Sequence, residues 1–390
     1  MSKASPDLSE RLRLVLISPV DPGRARTNTV ADVRFCAALS SQGHVVEWVV
    51  PTVGPKRSLS EASILSRHDV QYPFRVRLVR TPTCDGPRDV ARILPLVLSQ
   101  YRRPHPRYDH ILSRDLRLLL PALAGPRRRL AVPWLHEYRG EAWERAACRR
   151  ASCMLATNSA IVSAVHADAA PLPALITGNP VLVERLTTNP EVSRQAARDA
   201  LGLPNDRPVL VYTGKVYVGM KELEYLFYAA ERLPHCLLVV TGGQPVQIAR
   251  LRLEMQNRGL ENVVFAGFLD KPELTRVYQR AADMLISYYS VYDHPYANHN
   301  LPNKLAEYMA TGNPAVVANF PAVRDWATPE TAVLVRPDDP ESLVENLALL
   351  LNDEARARRI GAAALELAEK RSFEEVARDV SRFLIAHRDA

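Results

Sequence analysis

At 390 residues the chain exceeds what one hydrophobic core ordinarily serves, so two domains are expected and a small binding module is excluded. With 47% hydrophobic and 24% charged residues it has the composition of a globular protein rather than a disordered one, and no apolar run approaches the ~18 residues that cross a bilayer. The net charge of +7 is unevenly placed: residues 1–180 carry 26 Lys and Arg against 15 Asp and Glu, whereas 181–390 carry 24 against 28.

The chain opens its pattern with LRLVLISPV at 12–20, too short and too interrupted by Arg13 to be a signal peptide or a span. Short apolar, β-rich runs then recur through the first half: LRLVLIS at 12–18, VVEWVV at 45–50, RVRLVR at 75–80, HILS at 110–113, LAVPWLH at 130–136, CMLATN at 153–158 and ALITGN at 174–179. Continuous apolar runs suit strands buried on both faces of a parallel sheet. Between the first two, Val30, Val33, Ala37 and Ala38 fall on one helical face and Gly43 stops the helix, which makes a βαβ unit.

Residues 181–206 are polar, bear Asn189-Pro190 and Pro204-Asn205, and read as a connecting region. The second half repeats the scheme with VLVYTG at 209–214, LLVVTGG at 237–243, VVFAGF at 263–268, MLISYY at 284–289, AVVAN at 315–319 and AVLVRP at 332–337. Helical patterns fill the gaps at 221–232, 245–258, 271–281, 302–310 and 340–350, and SFEEVARDVSRFLIAHR closes the chain. The fold class expected is α/β, with two tandem doubly wound, Rossmann-like domains over 1–180 and 207–371. The final helix, 372–390, is expected to pack back towards the N-terminal domain. Ligands in such sheets bind beyond the carboxyl ends of the strands, so the site is expected in a cleft where the two domains face each other.

Five cysteines, an odd number with no CxxC pair, fit free thiols in a reducing cytoplasm. Basic clusters at Arg102-Arg103, Arg127-Arg128-Arg129 and Arg149-Arg150 would attract an anionic surface, whether phospholipid, phosphate-bearing acceptor or nucleic acid, or simply be a solvated face. Aromatic and basic residues do not interleave and no reading helix is evident, so nucleic acid is not expected as a partner.

Chemistry concentrates in two segments. In VLVYTGKVYVGMKELEYLFYAA a strand ends at Gly214, Lys215 follows, and Lys221 opens a helix. Gly214 lets a ligand approach the backbone, and two ammonium groups beside a helix start can hold a diphosphate. In HNLPNKLAEYMATGNPAVVAN a Pro-initiated helix carries Asn303, Lys304 and Glu307 in its first turns. A fixed carboxylate such as Glu307 can accept both hydroxyl hydrogens of a ribose, or simply pair with Lys304 on the surface.

These segments, with VVTGG at 239–243, VVFAGF at 263–268 and VLVRPDDPESL at 333–343, resemble the retaining glycosyltransferases of family 4, which have the GT-B fold. The resemblance covers 208–385 well and continues more loosely through SPVDPGR at 18–24, PWLHEYRGE around His136 and ITGNPV at 176–181. It implies transfer of a sugar from a nucleoside diphosphate sugar to a hydroxyl of a glycan or lipid-linked acceptor in surface polysaccharide or glycolipid synthesis. Lys215 and Lys221 would then neutralise the leaving diphosphate, Glu307 would hold the ribose, and His136 would lie near the transferred sugar. Gly23 and Gly243 would bring backbone to the donor, and Phe268 and Leu269 would meet the base. His299 stands where the family has its first glutamate, so His299, Asn300 and the backbone of Leu301 are expected to hold the donor sugar instead. No cofactor and no metal are expected: Asp338-Asp339 reads as a helix cap rather than a metal motif. The expected location is cytoplasmic, peripheral at the inner membrane face through the basic N-terminal half. An epimerase or hydrolase of the same fold, or a non-catalytic descendant that binds a sugar or a partner protein, are the alternatives.

Overall fold

The computed structural model describes residues 11–20, 22, 27–53, 60–68, 70–81, 108–126, 128–169, 171–183 and 190–388. Gly23, Cys84, the Arg102-Arg103 cluster and Arg127 lie outside them. The chain divides into two compact units, 1–180 with 371–390, and 181–370.

In the first unit the strands are β1 (Arg13–Ile17), β2 (Val45–Val53), β3 (Arg75–Thr81), β4 (His110–Ser113), β5 (Ala131–Leu135), β6 (Met154–Ala156) and β7 (Ala174–Ile176). They form one parallel sheet in the order β3-β2-β1-β4-β5-β6-β7. In β1 the four residues Leu14 to Ile17 are all buried, the two-sided coverage that the apolar runs imply. The helices are α1 (Thr27–Ser41), α2 (Glu61–Arg67), α3 (Leu116–Ala124), α4 (Ala142–Cys148) and α5 (Ser159–Asp168). Asn158 starts α5 by accepting a hydrogen bond from Ile161 N at 3.0 Å. Cys36, Cys148 and Cys153 are buried free thiols here, as is Cys236 in the second unit.

The second unit begins its regular structure with α6 (Pro190–Leu201), inside the segment read as a connecting region. Arg194 and Arg198 on α6 clamp Asp283 at 3.1 and 2.5 Å, and Asp283 also accepts from Val209 N at 2.7 Å. This helix therefore belongs to the unit's frame. The strands β8 (Val209–Thr213), β9 (Leu237–Thr241), β10 (Val263–Gly267), β11 (Met284–Ser287), β12 (Ala315–Ala318) and β13 (Val333–Val335) form a parallel sheet in the order β10-β9-β8-β11-β12-β13. Around it lie α7 (Lys221–Arg232), α8 (Pro245–Arg258), α9 (Pro272–Ala281), α10 (Asn303–Met309), α11 (Pro340–Leu351) and α12 (Glu354–Glu369). In both sheets the order reverses at one point, beside β1 and beside β8, which is where a doubly wound sheet opens a crevice at its strand ends.

The last helix, α13 (Phe373–Ala386), returns to the first unit. It buries Phe373, Val376, Ala377, Val380 and Leu384 in the same core as Val33, Phe35 and Trp48. Each of the four side chains larger than alanine contributes about 1.5–3 kcal/mol by leaving water. Among the described residues no helix is long and apolar enough to cross a membrane.

Candidate functional site at the strand ends of the second unit

Strand β8 delivers Tyr212 and Thr213, both buried, and then the exposed pair Gly214 and Lys215. The Gly214 position is tight: a methyl group there would stand 3.1 Å from the Tyr212 hydroxyl and 3.2 Å from Lys304 Nζ. Gly242, after β9, has φ of +111° and lies so close to the Gly214 carbonyl that any side chain would collide with it. The backbone of two neighbouring strand ends is thus drawn together around one ammonium group.

Lys304, in the first turn of α10, is 10% exposed. Its Nζ lies 3.8 Å from the Tyr212 ring centroid, 5.2 Å from that of Tyr289, and 3.8 Å from Glu222 Oε2. Burial holds this ammonium below the ordinary lysine range, against the opposing pull of Glu222 and Glu307. Glu222 itself is fully buried and used on both oxygens. Tyr212 donates to Oε2 at 2.8 Å, and His294 Nε2 lies 2.6 Å from Oε1. Burial would raise the Glu222 carboxyl, but the Lys304 charge and the bonds from His294 and Tyr212 outweigh it and hold it below the usual range. The His294 ring stacks on Tyr289 at 4.0 Å, and Asp293 accepts the Glu222 backbone N–H at 2.8 Å, fixing the start of α7.

The two cations read from the sequence have different surroundings. Lys215 is exposed and makes no ion pair among the described residues. Lys221, 41% exposed, is held by Glu224 at 2.6 Å with its Nζ 5.6 Å from the Tyr225 ring. Lys304 approaches Gly214, whereas Lys221 turns along its own helix.

Glu307 is half-buried one turn beyond Lys304. Gln279 donates to it at 3.1 Å, and burial pushes its carboxyl up from the ordinary range despite Gln279, Arg276 and Lys304. Its neighbour Tyr308 receives the Thr213 N–H at 2.8 Å, locking α10 to the end of β8. Asn303 is exposed at the helix start. In the loop before it, Leu301 is buried, while His299 and Asn300 are partly exposed and both donate their backbone N–H to the Tyr296 carbonyl. Asp338, at φ of +54°, fastens the start of this loop by accepting from Ser290 Oγ at 2.6 Å and Val291 N at 3.2 Å. Asp339 caps α11 by accepting from Ser342 N at 2.9 Å. Gly243 has φ of +84°, Phe268 is 64% exposed after β10, and Leu269 is partly covered beside it. Among the described residues no group of three or more His, Cys, Asp or Glu is arranged to hold a metal ion.

His136 lies in the first unit, at the end of β5. Burial first and the Arg114 charge second hold it well below the ordinary histidine range, so it is a neutral imidazole. Sequence reasoning missed Glu222, His294, Tyr212 and Tyr289. Asp293 and Glu222 meet across 71 residues, and no local pattern announces that contact.

Residues 207–353 match the family model of glycosyl transferases group 1. Among curated proteins, the chain is 30% identical over 191 residues to a D-inositol 3-phosphate glycosyltransferase of Xylanimonas cellulosilytica, covering 47% of this chain and 44% of that one. It is 27% identical over 223 residues to a UDP-N-acetylglucosamine–N-acetylmuramyl-(pentapeptide) pyrophosphoryl-undecaprenol N-acetylglucosamine transferase of Clavibacter sepedonicus, covering 55% of each. The chain thus spans about half the length of the curated relatives it matches. Of solved structures, the Anabaena protein HepE in complex with UDP and glucose superposes with a TM-score of 0.71 at 15% identity, over 95% of this chain and 99% of that one. Sucrose-phosphate synthase from Thermosynechococcus elongatus gives 0.73 at 20%, over 95% and 98%. The chain has the GT-B glycosyltransferase fold, and the match to the glycosyl transferases group 1 family lies in its second unit.

Proposed function

We propose that the protein transfers a sugar, with retention of configuration, from a nucleoside diphosphate sugar held by the second unit to a hydroxyl of an acceptor held by the first. The observation that carries this reading is the pair of cations at Gly214: Lys215, exposed and unpaired among the described residues, and Lys304, buried with its Nζ beneath the glycine. Charge that develops on a leaving diphosphate is stabilised by these two ammonium groups, held in place before the bond breaks. Glu307 accepts the ribose hydroxyls, Phe268 offers its exposed ring to the base, and the absence of a side chain at Gly214 admits the phosphates. The sugar C1–O bond to phosphate breaks, the acceptor oxygen bonds C1 on the same face, and the acceptor's proton passes to the departing phosphate. His136, neutral, orients sugar or acceptor.

Lys215 and Lys304 do here what a metal ion does in other nucleotide-sugar enzymes, so turnover is expected to survive EDTA. The acceptor class inferred is a glycan or lipid-linked glycan of surface polysaccharide or glycolipid synthesis, reached by a cytoplasmic enzyme whose basic first unit rests on an anionic membrane face. Flotation with anionic vesicles but not neutral ones is the expected result, and equal binding to both would overturn that part.

The deciding experiment measures binding and slow hydrolysis across UDP-, GDP-, ADP- and dTDP-sugars for wild type, Lys215→Ala and Glu307→Ala. Selective turnover that both variants lose supports the reading. Binding of no donor at all would instead favour a descendant that recognises a partner.

A further inference from the structure

The first unit has its own polar crevice, at the carboxyl ends of β1, β4 and β5, which are adjacent in its sheet. Ser18 follows β1, Arg114 follows β4 and His136 follows β5, while α1 presents Thr29, Asp32 and Cys36 at helical spacing along one face. Asp32 is buried and used on both oxygens: Ser18 Oγ donates to one at 2.6 Å, and Arg114 Nε stands 3.0 Å from the other. The Arg114 guanidinium lies over the Trp134 ring at 4.5 Å, and the His136 ring centroid is 5.6 Å from the same indole. Trp134 is held in turn by its N–H bond to Thr177 Oγ1 at 3.0 Å.

Three buried polar atoms on these elements are left over. The Thr29 hydroxyl, Arg114 Nη2 and His136 Nε2 are all shut from solvent and bond no group among the described residues. Thr29 is 0% exposed. Native chains rarely leave buried polar atoms unpaired, and three in one crevice mark a place where a ligand completes the set.

Their chemistry says which ligand. Arg114 Nη2 can only donate a hydrogen bond, and a hydroxyl and a neutral imidazole can each donate one more. The amino end of the 15-residue α1 adds a positive dipole end beside Thr29. With Arg114 paired to Asp32 the fixed charges cancel, and the donors left over suit a group rich in acceptor oxygens.

We propose that Thr29, Arg114 and His136 form an anion subsite of the first unit, filled by a phosphoryl or carboxylate group of the molecule that accepts the sugar. This rests on the transferase reading above, in which the donor belongs to the second unit. The donor's own diphosphate is the other source of the same chemistry, and the experiment separates the two.

The full chain is titrated with inorganic phosphate in the presence of saturating UDP. Phosphate is expected to bind alongside UDP, and to bind at least about tenfold more weakly in Thr29→Val and Arg114→Gln, with UDP affinity unchanged. Because Arg114→Gln strands Asp32, the double variant Asp32→Asn with Arg114→Gln removes both charges together and is expected to stay folded and lose phosphate. Phosphate that competes with UDP, or UDP affinity that falls with the variants, would assign the crevice to the donor and overturn the proposal. So would phosphate binding that is absent from wild type or equal in all variants. Should UDP fail to bind, whichever of GDP, ADP and dTDP binds takes its place; should none of the four bind, the donor reading falls, and the same titration without nucleotide still decides the subsite.

Discussion

The two sheets end in crevices of opposite character. In the second unit the buried strand-end charges answer one another: Glu222 is met by Tyr212, His294 and Lys304, and the backbone start of α7 is answered by Asp293. In the first unit the Asp32–Arg114 pair is equally buried, yet Thr29, Arg114 and His136 keep atoms that bond nothing among the described residues. A site can thus be prepared in two ways. One holds a charge in place before the ligand comes, and the other withholds hydrogen bonds until the ligand supplies them.

The comparison breaks first at Lys304. Lys304→Met keeps an unbranched apolar stem against Tyr212 but removes the ammonium, and is expected to lower turnover of the donor about 10²- to 10³-fold with far less effect on nucleotide affinity. A loss of affinity without loss of turnover number would mean that Lys304 only binds.

Next come the stabilities, which should move in opposite directions in the two units. Glu222→Gln leaves Lys304 buried without its counter-charge and is expected to cost about 3 kcal/mol in urea unfolding. Thr29→Val removes an unpaired buried hydroxyl with little change of shape and is expected to gain about 1 kcal/mol. Two losses of equal size would erase the contrast.

A third test uses acid. Burial first, with neighbouring arginine charges, lowers the imidazoles of His44, His68 and His136 from 6.5, and burial does the same for His110, all in the first unit. The unfolded chain takes up protons near pH 6.5 that these groups refuse when folded, so their contribution is present above that pH and is lost as pH falls below it. Each adds up to about 1.4 kcal/mol per pH unit within its window. Hydrogen exchange at pH 7.5 and 5.5 should show the first unit opening more than the second, and His136→Gln should reduce the slope.

The smallest effect is expected at Lys221, exposed and occupied by Glu224. Lys221→Ala should leave the melting temperature unchanged and turnover within about threefold. A loss as large as that of Lys215→Ala would show that Glu224 releases this lysine when the donor binds.

Much of the frame was legible in residues. The strand runs from LRLVLIS to AVLVRP fall on the observed strands because parallel strands buried on both faces leave an unbroken apolar signature. Helix α10 was legible from Pro302 before it and Gly312 after it. Helix α6 was not: Asn189-Pro190 and its polar surface speak for a loop, and only Asp283, far along the chain, gives Arg194 and Arg198 their purpose. The site divides in the same way. Gly214, Lys215, Lys304 and Glu307 sit at strand ends and helix starts, where spacing alone suggests chemistry. Glu222 looks like an ordinary surface residue of α7, and its burial follows from a tyrosine ten residues before it and a histidine 72 residues beyond it.

The return of α13 to the first unit has a consequence for how the protein is made. Phe373 and Leu384 complete the core around Trp48, the Leu384 carbonyl lies 3.0 Å from His110 Nε2, and Arg388 pairs with Asp109 at 2.6 Å. During vectorial synthesis these residues leave the ribosome only after the whole of 181–370, roughly 10–40 s behind the sheet they cover at ordinary elongation rates. The unit translated first is therefore the one finished last, and its apolar groove beside α1 stands open to chaperones in the interval.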